Sequence, residues 1–196
     1  MVSSPAYSDV VCRYFKKKGA KNTAPLLEAA AKRASELSIK KALVATCSGR
    51  TAFEALKKFE PDVKIIAVTH VTGFLKPDDQ ELTIKNRRKL EQSGVTVLTC
   101  QHAFGGVGRA VRMKLGTYQV DEIMAYTLRT FGQGTKVAIE TALMAADAGL
   151  VRTDEDVISV GGTGSGADTA LVLQPSNSSR FFDLKIREII CKPRDF

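Results

Sequence analysis

Two short segments of the sequence have residue types that suit a phosphate-binding site. The first, TCSGRT at 46–51, combines hydroxyl side chains with a glycine and an arginine. The second, GGTGSGAD at 161–168, has four glycines within six residues, more than one turn requires. Glycines let backbone amides approach an anion closely, and an arginine adds a charge-assisted hydrogen bond. The residues of these two segments that we include in the candidate cofactor-binding site are Thr46, Cys47, Ser48, Gly49, Arg50, Thr51, Gly161, Gly162, Thr163, Gly164, Ser165, Gly166 and Asp168, the last of which could orient or cap the glycine-rich loop.

Each segment also has a purely structural interpretation. TCSGRT could be a serine that caps a helix, followed by a surface arginine, and GGTGSGAD could be an exposed turn. The second segment resembles the GxGxxG pattern only loosely. It also precedes a predicted strand, whereas the dinucleotide fingerprint needs a helix there. NAD binding of the Rossmann kind is therefore not expected.

The two histidines of the chain, His70 and His102, each follow a predicted strand and are each followed closely by a phenylalanine, Phe74 and Phe104. Such residues could hold a flat ligand, and an imidazole could donate or accept a proton during catalysis. A structural role for each histidine is the alternative. Thr69 and Gly73 flank the first histidine and are included in the candidate site.

Alternating helices and strands must position these residues. The pattern predicts helices at 24–38, 49–59, 78–94, 120–131 and 135–149, and strands at 41–46, 63–70, 95–100, 156–162, 168–175 and 181–191. Residues 101–118 could form a loop that leads into a short helix.

This alternation is typical of an α/β domain. We expect a single domain over residues 1–196, with 1–22 as an N-terminal extension. Its fold would be a three-layer α/β/α sandwich with a mostly parallel sheet of order near 3-2-1-4-5 and antiparallel edge strands. In that order the loops after the first and fourth strands meet where ligands bind.

Two longer stretches, 44–69 and 154–173, resemble the C-terminal α/β domain of pyruvate kinase. In that enzyme, an SGRT-like turn and a glycine-rich turn grip the phosphates of the sugar-phosphate activator. The chain is too short for the catalytic barrel of that enzyme, so we expect no pyruvate kinase activity. A non-catalytic sensor of a sugar phosphate or nucleotide is one function that the resemblance implies.

The chain also resembles stand-alone microbial proteins described as pyruvate kinase α/β domain-like, in which the crevice is associated with FMN. The resemblance therefore implies FMN as the cofactor and, for an enzyme, a flavin-dependent oxidoreductase. The two loops would hold the phosphate of FMN. The ring would lie in a cleft near His70, Phe74, His102 and Phe104.

Composition limits the remaining classes. The chain has 29 Lys and Arg against 21 Asp and Glu, a net charge of +8, so a nucleic-acid-associated protein is a further alternative. However, it has no tryptophan, and no basic stretch has aromatic residues at stacking intervals, which argues against nucleic-acid binding.

The four cysteines form no CxxC pair, so we expect neither a metal site nor a secreted disulfide framework. With no signal peptide or membrane span in the sequence, we expect a cytoplasmic protein. Apolar residues at helical spacing between 120 and 144 could support a homo-oligomer, although core packing explains them better.

Overall fold

The four central strands of the protein consist mainly of apolar residues and are buried on both faces, as strands covered by helices on both sides must be. The computed structural model describes residues 6–196 and has one seven-stranded sheet of order β1-β7-β6-β5-β2-β3-β4. The strands are β1 Arg13–Lys17, β2 Lys41–Ala45, β3 Lys64–Val68, β4 Thr96–Leu98, β5 Val157–Gly161, β6 Thr169–Gln174 and β7 Lys185–Asp195.

The strands β5, β2, β3 and β4 are parallel, whereas β6 is antiparallel to both β5 and β7. The predicted order of the first five strands is confirmed, since they correspond to β2 through β6. The sequence did not predict β1, which pairs in parallel with β7 at the edge of the sheet. This strand, RYFKK, has mostly exposed side chains and therefore lacks the apolar pattern that marks a strand.

The described residues form six α-helices, namely α1 Thr23–Glu36, α2 Arg50–Ala55, α3 Ile84–Gln92, α4 Val107–Leu115, α5 Val120–Arg129 and α6 Gln133–Asp147. All but α4 contribute buried residues to the layers on the two faces of the sheet. Helices α1 to α3 pack into one buried core, and α5 and α6 pack into a second core on the opposite face. The predicted three-layer arrangement is therefore confirmed. Within residues 6–196, no helix has both the length and the apolarity needed to cross a bilayer.

Three predicted elements have different bounds. Helix α2 ends at Ala55 and continues only as turns. Helix α3 begins after Thr83, whose hydroxyl caps it by accepting a hydrogen bond from the amide of Asn86, so residues 70–83 are an irregular loop. A 3₁₀ turn over Ser178–Asp183 replaces the start of the last predicted strand.

Candidate functional site

The two predicted phosphate loops lie side by side. They follow β2 and β5, which are adjacent and parallel, so both loops leave the same edge of the sheet. The Arg50 side chain crosses between them, and its Nη2 donates a hydrogen bond to Ser165 Oγ at 2.8 Å. A cavity of about 300 Å³ lies beside this contact. The structure thus joins two segments that are more than a hundred residues apart in the sequence.

The first loop has a fixed backbone. Thr46 is buried, and its hydroxyl oxygen accepts a hydrogen bond from the amide of Gly49 at 3.1 Å. Gly49 has a φ of 92°, and a Cβ atom at this position would lie 3.0 Å from Leu82 Cδ1. Because α2 has only six residues, the hydroxyl groups and the Arg50 side chain must supply most of the capacity for anion binding.

In the second loop, Gly162, Gly164, Ser165 and Gly166 line the cavity. Gly164 has a φ of 74°, and among residues 6–196 no atom lies within 4 Å of the point that a Cβ would occupy there, so it faces open space. Gly161, in contrast, lies outside the cavity. A Cβ there would be 2.2 Å from the carbonyl oxygen of Gly134, so this glycine allows α6 to pack closely on β5.

Hydrogen bonds with Gly19 and Thr23, near the start of α1, support the glycine-rich loop. Asp168 is fully buried, and its carboxylate accepts hydrogen bonds from the amide of Gly19 and the hydroxyl of Thr169. The amide of Ala167 donates to Thr23 Oγ1 at 2.9 Å. Asp168 therefore anchors the loop and does not line the cavity. Thr163 is also outside it, and its buried hydroxyl has no hydrogen-bond partner in the described part of the chain.

Both histidines line the same cavity together with one phenylalanine. The ring of Phe74 stacks on His70 with a centroid distance of 4.1 Å and on His102 at 5.2 Å. The guanidinium of Arg109 lies over the same phenylalanine ring, 4.7 Å from its centroid. Thr69, at the exit of β3, also lines the cavity. Gly73 is outside it, at a turn of the 70–83 loop with a φ of 87°.

Each histidine faces a carboxylate that sequence reasoning did not identify. His70 Nδ1 lies 2.5 Å from Glu81 Oε2, and His102 Nδ1 lies 3.6 Å from Glu140 Oε2. The amide of Val71 donates to His102 Nε2, so the proton of the neutral ring is on Nδ1, toward Glu140. The Glu81 carboxylate therefore orients the ring of His70, whereas the ring of His102 is positioned by the amide of Val71 and only faces Glu140.

Glu140 belongs to a buried ion pair on α6. Its carboxylate accepts hydrogen bonds from Lys136 Nζ and from the amide of Phe104, and both charged residues are nearly inaccessible to solvent. Burial raises the pKa of Glu140, but His102 and Lys136 outweigh that effect and lower the pKa to about 2. Burial lowers the pKa of Lys136, although the facing carboxylate opposes this shift. A negative charge is thus held at the cavity wall at neutral pH.

Phe104 does not face the cavity, contrary to the expected ring cleft. It is buried in the core on the α6 face, where it meets Phe181 edge to face at 5.6 Å. The hydrogen bond from its backbone amide to Glu140 turns the chain inward at this point. Helix α6 supplies cavity-lining residues that the sequence did not indicate, namely Gln133, Val137, Glu140, Thr141 and Met144.

Cys47, His70 and Glu81 bring three potential metal-binding atoms within 4.8 Å of one another. Cys47 Sγ is 3.6 Å from both ring nitrogens of His70, so it lies along the lone pair of neither. Burial, followed by the charge of Glu81, raises the pKa of the Cys47 thiol to about 11. The thiol is therefore protonated at neutral pH. The His70 ring is hydrogen-bonded to Glu81 through Nδ1. Cysteine spacing could not reveal this cluster, because its members come from three separate segments.

Comparison with known proteins identifies relatives of this chain. The family model described as "Pyruvate kinase, alpha/beta domain" matches residues 25–173. A crystal structure of a pyruvate kinase from Cryptosporidium parvum is 15% identical with a TM-score of 0.42, over 80% of this chain and 24% of that one. A second pyruvate kinase structure from the same organism is 18% identical with a TM-score of 0.36, over 74% of this chain and 22% of that one. The chain thus spans about a quarter of the length of these enzymes.

Proposed function

We propose that this chain, which belongs to the pyruvate kinase α/β domain family, binds a small phosphorylated ligand between its two loops, and that this ligand is FMN. One observation carries the proposal. The cavity beside the contact between Arg50 and Ser165 extends to the stacked rings of His70, Phe74 and His102. A site for an anion and a site for a flat ring therefore share one cavity.

The end of the cavity near the loops suits a phosphate. Ser48, Thr51 and Ser165 offer hydroxyl groups there, and Arg50 offers a guanidinium that can donate two parallel hydrogen bonds. Because the glycines of the second loop have no side chains, the backbone amides of this loop remain accessible to a ligand. An anion bound here would replace or share the present hydrogen bond of Arg50 with Ser165.

The part of the cavity around Phe74 suits a flat, partly apolar group. Val68, Met144 and Phe74 supply apolar surface there, and the two histidines supply polar edges. The volume of about 300 Å³ is at the lower end of the range for small-molecule sites, roughly 300–1,000 Å³. When bound, FMN supplies hydride and one-electron chemistry.

In such chemistry the protein would orient the ligand and would hold or transfer protons. His70, oriented by Glu81, and His102, which faces Glu140, are the side chains placed to exchange a proton with a ligand in the cavity. The reaction would not be that of pyruvate kinase, and the proposal assigns no substrate.

A spectrum of the freshly purified protein tests the proposal. We expect flavin absorption bands, and we expect heat denaturation to release FMN. In titrations of the FMN-free protein, the Arg50→Ala variant should bind FMN about 10- to 100-fold more weakly, since a charged hydrogen bond contributes about 1.5–3 kcal/mol. Arg88→Ala is the matched control, because Arg88 is an exposed arginine on α3 that does not line the cavity.

A second candidate is a sensor of a sugar phosphate or nucleotide without a flavin. The position of Phe104 outside the cavity favours it, because Phe74 is then the only phenylalanine among the described residues that line this cavity. A colourless protein that fails to take up FMN, but whose melting temperature rises with sugar phosphates, would replace the flavin proposal with this one.

A further inference from the structure

Helix α4 lacks the buried face that normally holds a helix in place. None of its nine residues, all of which the structure describes, is buried. Nevertheless Val107, Met113 and Leu115 are apolar and 69–76% exposed. An isolated helix of this length is marginal in water, and most helices of proteins are stabilised by packing an apolar face. Val107 and Met113, with the exposed Ala110 between them, leave one side of α4 uncovered by residues 6–196, whereas Val111 and Arg112 on the other side are half-buried.

The exposed apolar residues continue beyond α4 into α5. We define the α4–α5 apolar surface as the large apolar side chains of 107–131 that are more than half exposed, namely Val107, Met113, Leu115, Tyr118, Val120, Ile123, Tyr126 and Phe131. The α6 residues with similar helical spacing, such as Ile139 and Leu143, are instead buried in the core. Core packing thus explains the apolar residues of α6 but not those of α4 and α5.

A groove adjoins this surface. It has a volume of about 580 Å³ and lies where α4 and α5 approach the 3₁₀ turn at Ser178–Asp183. Its lining includes Val107 and Val120 of the apolar surface, together with Val111, Met124 and Phe181. A partner would therefore contact both the exposed apolar side chains and the adjoining groove.

We propose that the α4–α5 apolar surface is the contact between two copies of this chain. Large apolar side chains that are about half exposed offer on the order of 100 Å² each, so the eight offer about 800 Å². That is the area which each partner contributes to a stable interface of standard size, roughly 800 Å². Pairing through a two-fold axis is the commonest way for a chain to cover such a surface.

The chemistry of the surface fits a protein partner better than an anionic lipid. Tyrosine, phenylalanine, methionine and arginine are enriched in protein interfaces. The two arginines beside the tyrosines are already engaged. Arg112 pairs with Glu122 and lies over Tyr118, and Arg129 lies over Tyr126. Their charges are thus held along the aromatic rings within the molecule.

Multi-angle light scattering and sedimentation equilibrium test the proposal on the full chain. We expect the wild-type protein to be a dimer and Ile123→Glu to be a monomer with an unchanged circular dichroism spectrum. The matched control is Ile84→Glu, because Ile84 is 70% exposed on α3, a helix on the opposite face of the sheet. This variant should remain a dimer.

A milder variant covers the case in which Ile123→Glu fails to fold. Tyr126→Ala removes only a half-exposed ring and should weaken the dimer at least tenfold. A wild-type protein that stays monomeric up to its solubility limit would overturn the proposal, as would a dimer that both variants leave intact. A monomer that binds vesicles of anionic lipid through this surface would overturn it in favour of a membrane partner. Flavin binding has a separate readout, so either proposal can fail alone.

Discussion

Gly49 shows how closely the first loop constrains a single residue. Its backbone is left-handed, and a Cβ would lie 3.0 Å from Leu82 and 3.3 Å from Leu90. Gly94 has a similar φ, 83°, but no described atom lies within 4 Å of a Cβ there. Both glycines therefore have a left-handed backbone, but only at Gly49 is there no room for a side chain.

This pair gives a prediction at the residue scale. Gly94→Ala should lower the free energy of unfolding by about 1–2 kcal/mol, the cost of a left-handed alanine. Gly49→Ala should lower it by roughly a further 1–3 kcal/mol, because the methyl group must displace core side chains. Urea denaturation measures both values. Equal losses in the two variants would show that the contacts of Gly49 with Leu82 and Leu90 do not restrict this position.

The sequence indicated the two loops that the structure brings together at the candidate site, but not the residues that support them. The loops follow from local composition, since glycines, hydroxyls and an arginine are adjacent in the chain. Glu81 and Glu140 had no such signal, because each meets its histidine only after the chain has folded. Phe104 was placed in the cleft by analogy with Phe74, but its backbone hydrogen bond to Glu140 turns its ring into the core.

At the scale of elements, α6 is a buried helix that carries an ion pair. Removing one partner of a buried pair leaves an uncompensated charge and typically costs about 3–5 kcal/mol. We therefore expect Glu140→Gln to destabilise the protein by about that amount. The double variant Lys136→Met/Glu140→Gln should recover much of the loss, because it also removes the buried ammonium group that Glu140→Gln leaves without a partner. A double variant no more stable than Glu140→Gln would contradict this interpretation.

The same pair sets the dependence of stability on pH. The folded-state pKa of Glu140 is lowered from its ordinary value of 4.5 to about 2, so the carboxylate stabilises the fold above pH 4.5. That contribution should be lost as the pH falls from 4.5 toward 2. Thermal unfolding between pH 6 and pH 2 should therefore show a steeper decline for the wild-type protein than for the double variant.

Strand prediction succeeded where both faces of a strand are covered and failed at the edge. The strands β2 to β6 are apolar, and the rules for parallel connections then allowed their order to be predicted. The lysine-rich β1 was not predicted, because a strand at an edge needs little apolar surface and often carries charges. The hydrogen-bond partner that defines β1 is more than 170 residues away in the sequence.

At the scale of the whole molecule, β1 covers the outer edge of the longest strand, β7. A variant that lacks residues 1–18 should expose the backbone of Cys191–Asp195, because β1 pairs with this part of β7. We expect faster amide hydrogen exchange there and a greater tendency to aggregate, as for other uncovered edge strands. A variant that lacks only residues 1–8 retains β1 and is the control. Unchanged exchange at 191–195 in the longer deletion would rule out this protective role.

The position of β7 between β6 and β1 also affects the order in which the protein can fold during synthesis. The segment that follows β1 supports the glycine-rich loop through Gly19 and Thr23. However, β1 cannot pair with the sheet until β7 has left the ribosome, because β7 is the strand to which it hydrogen-bonds. The first strand of this sheet in sequence order is thus among the last to pair. Contacts of such long sequence separation slow folding, so we expect the candidate site to be completed only late in the folding of the nascent chain.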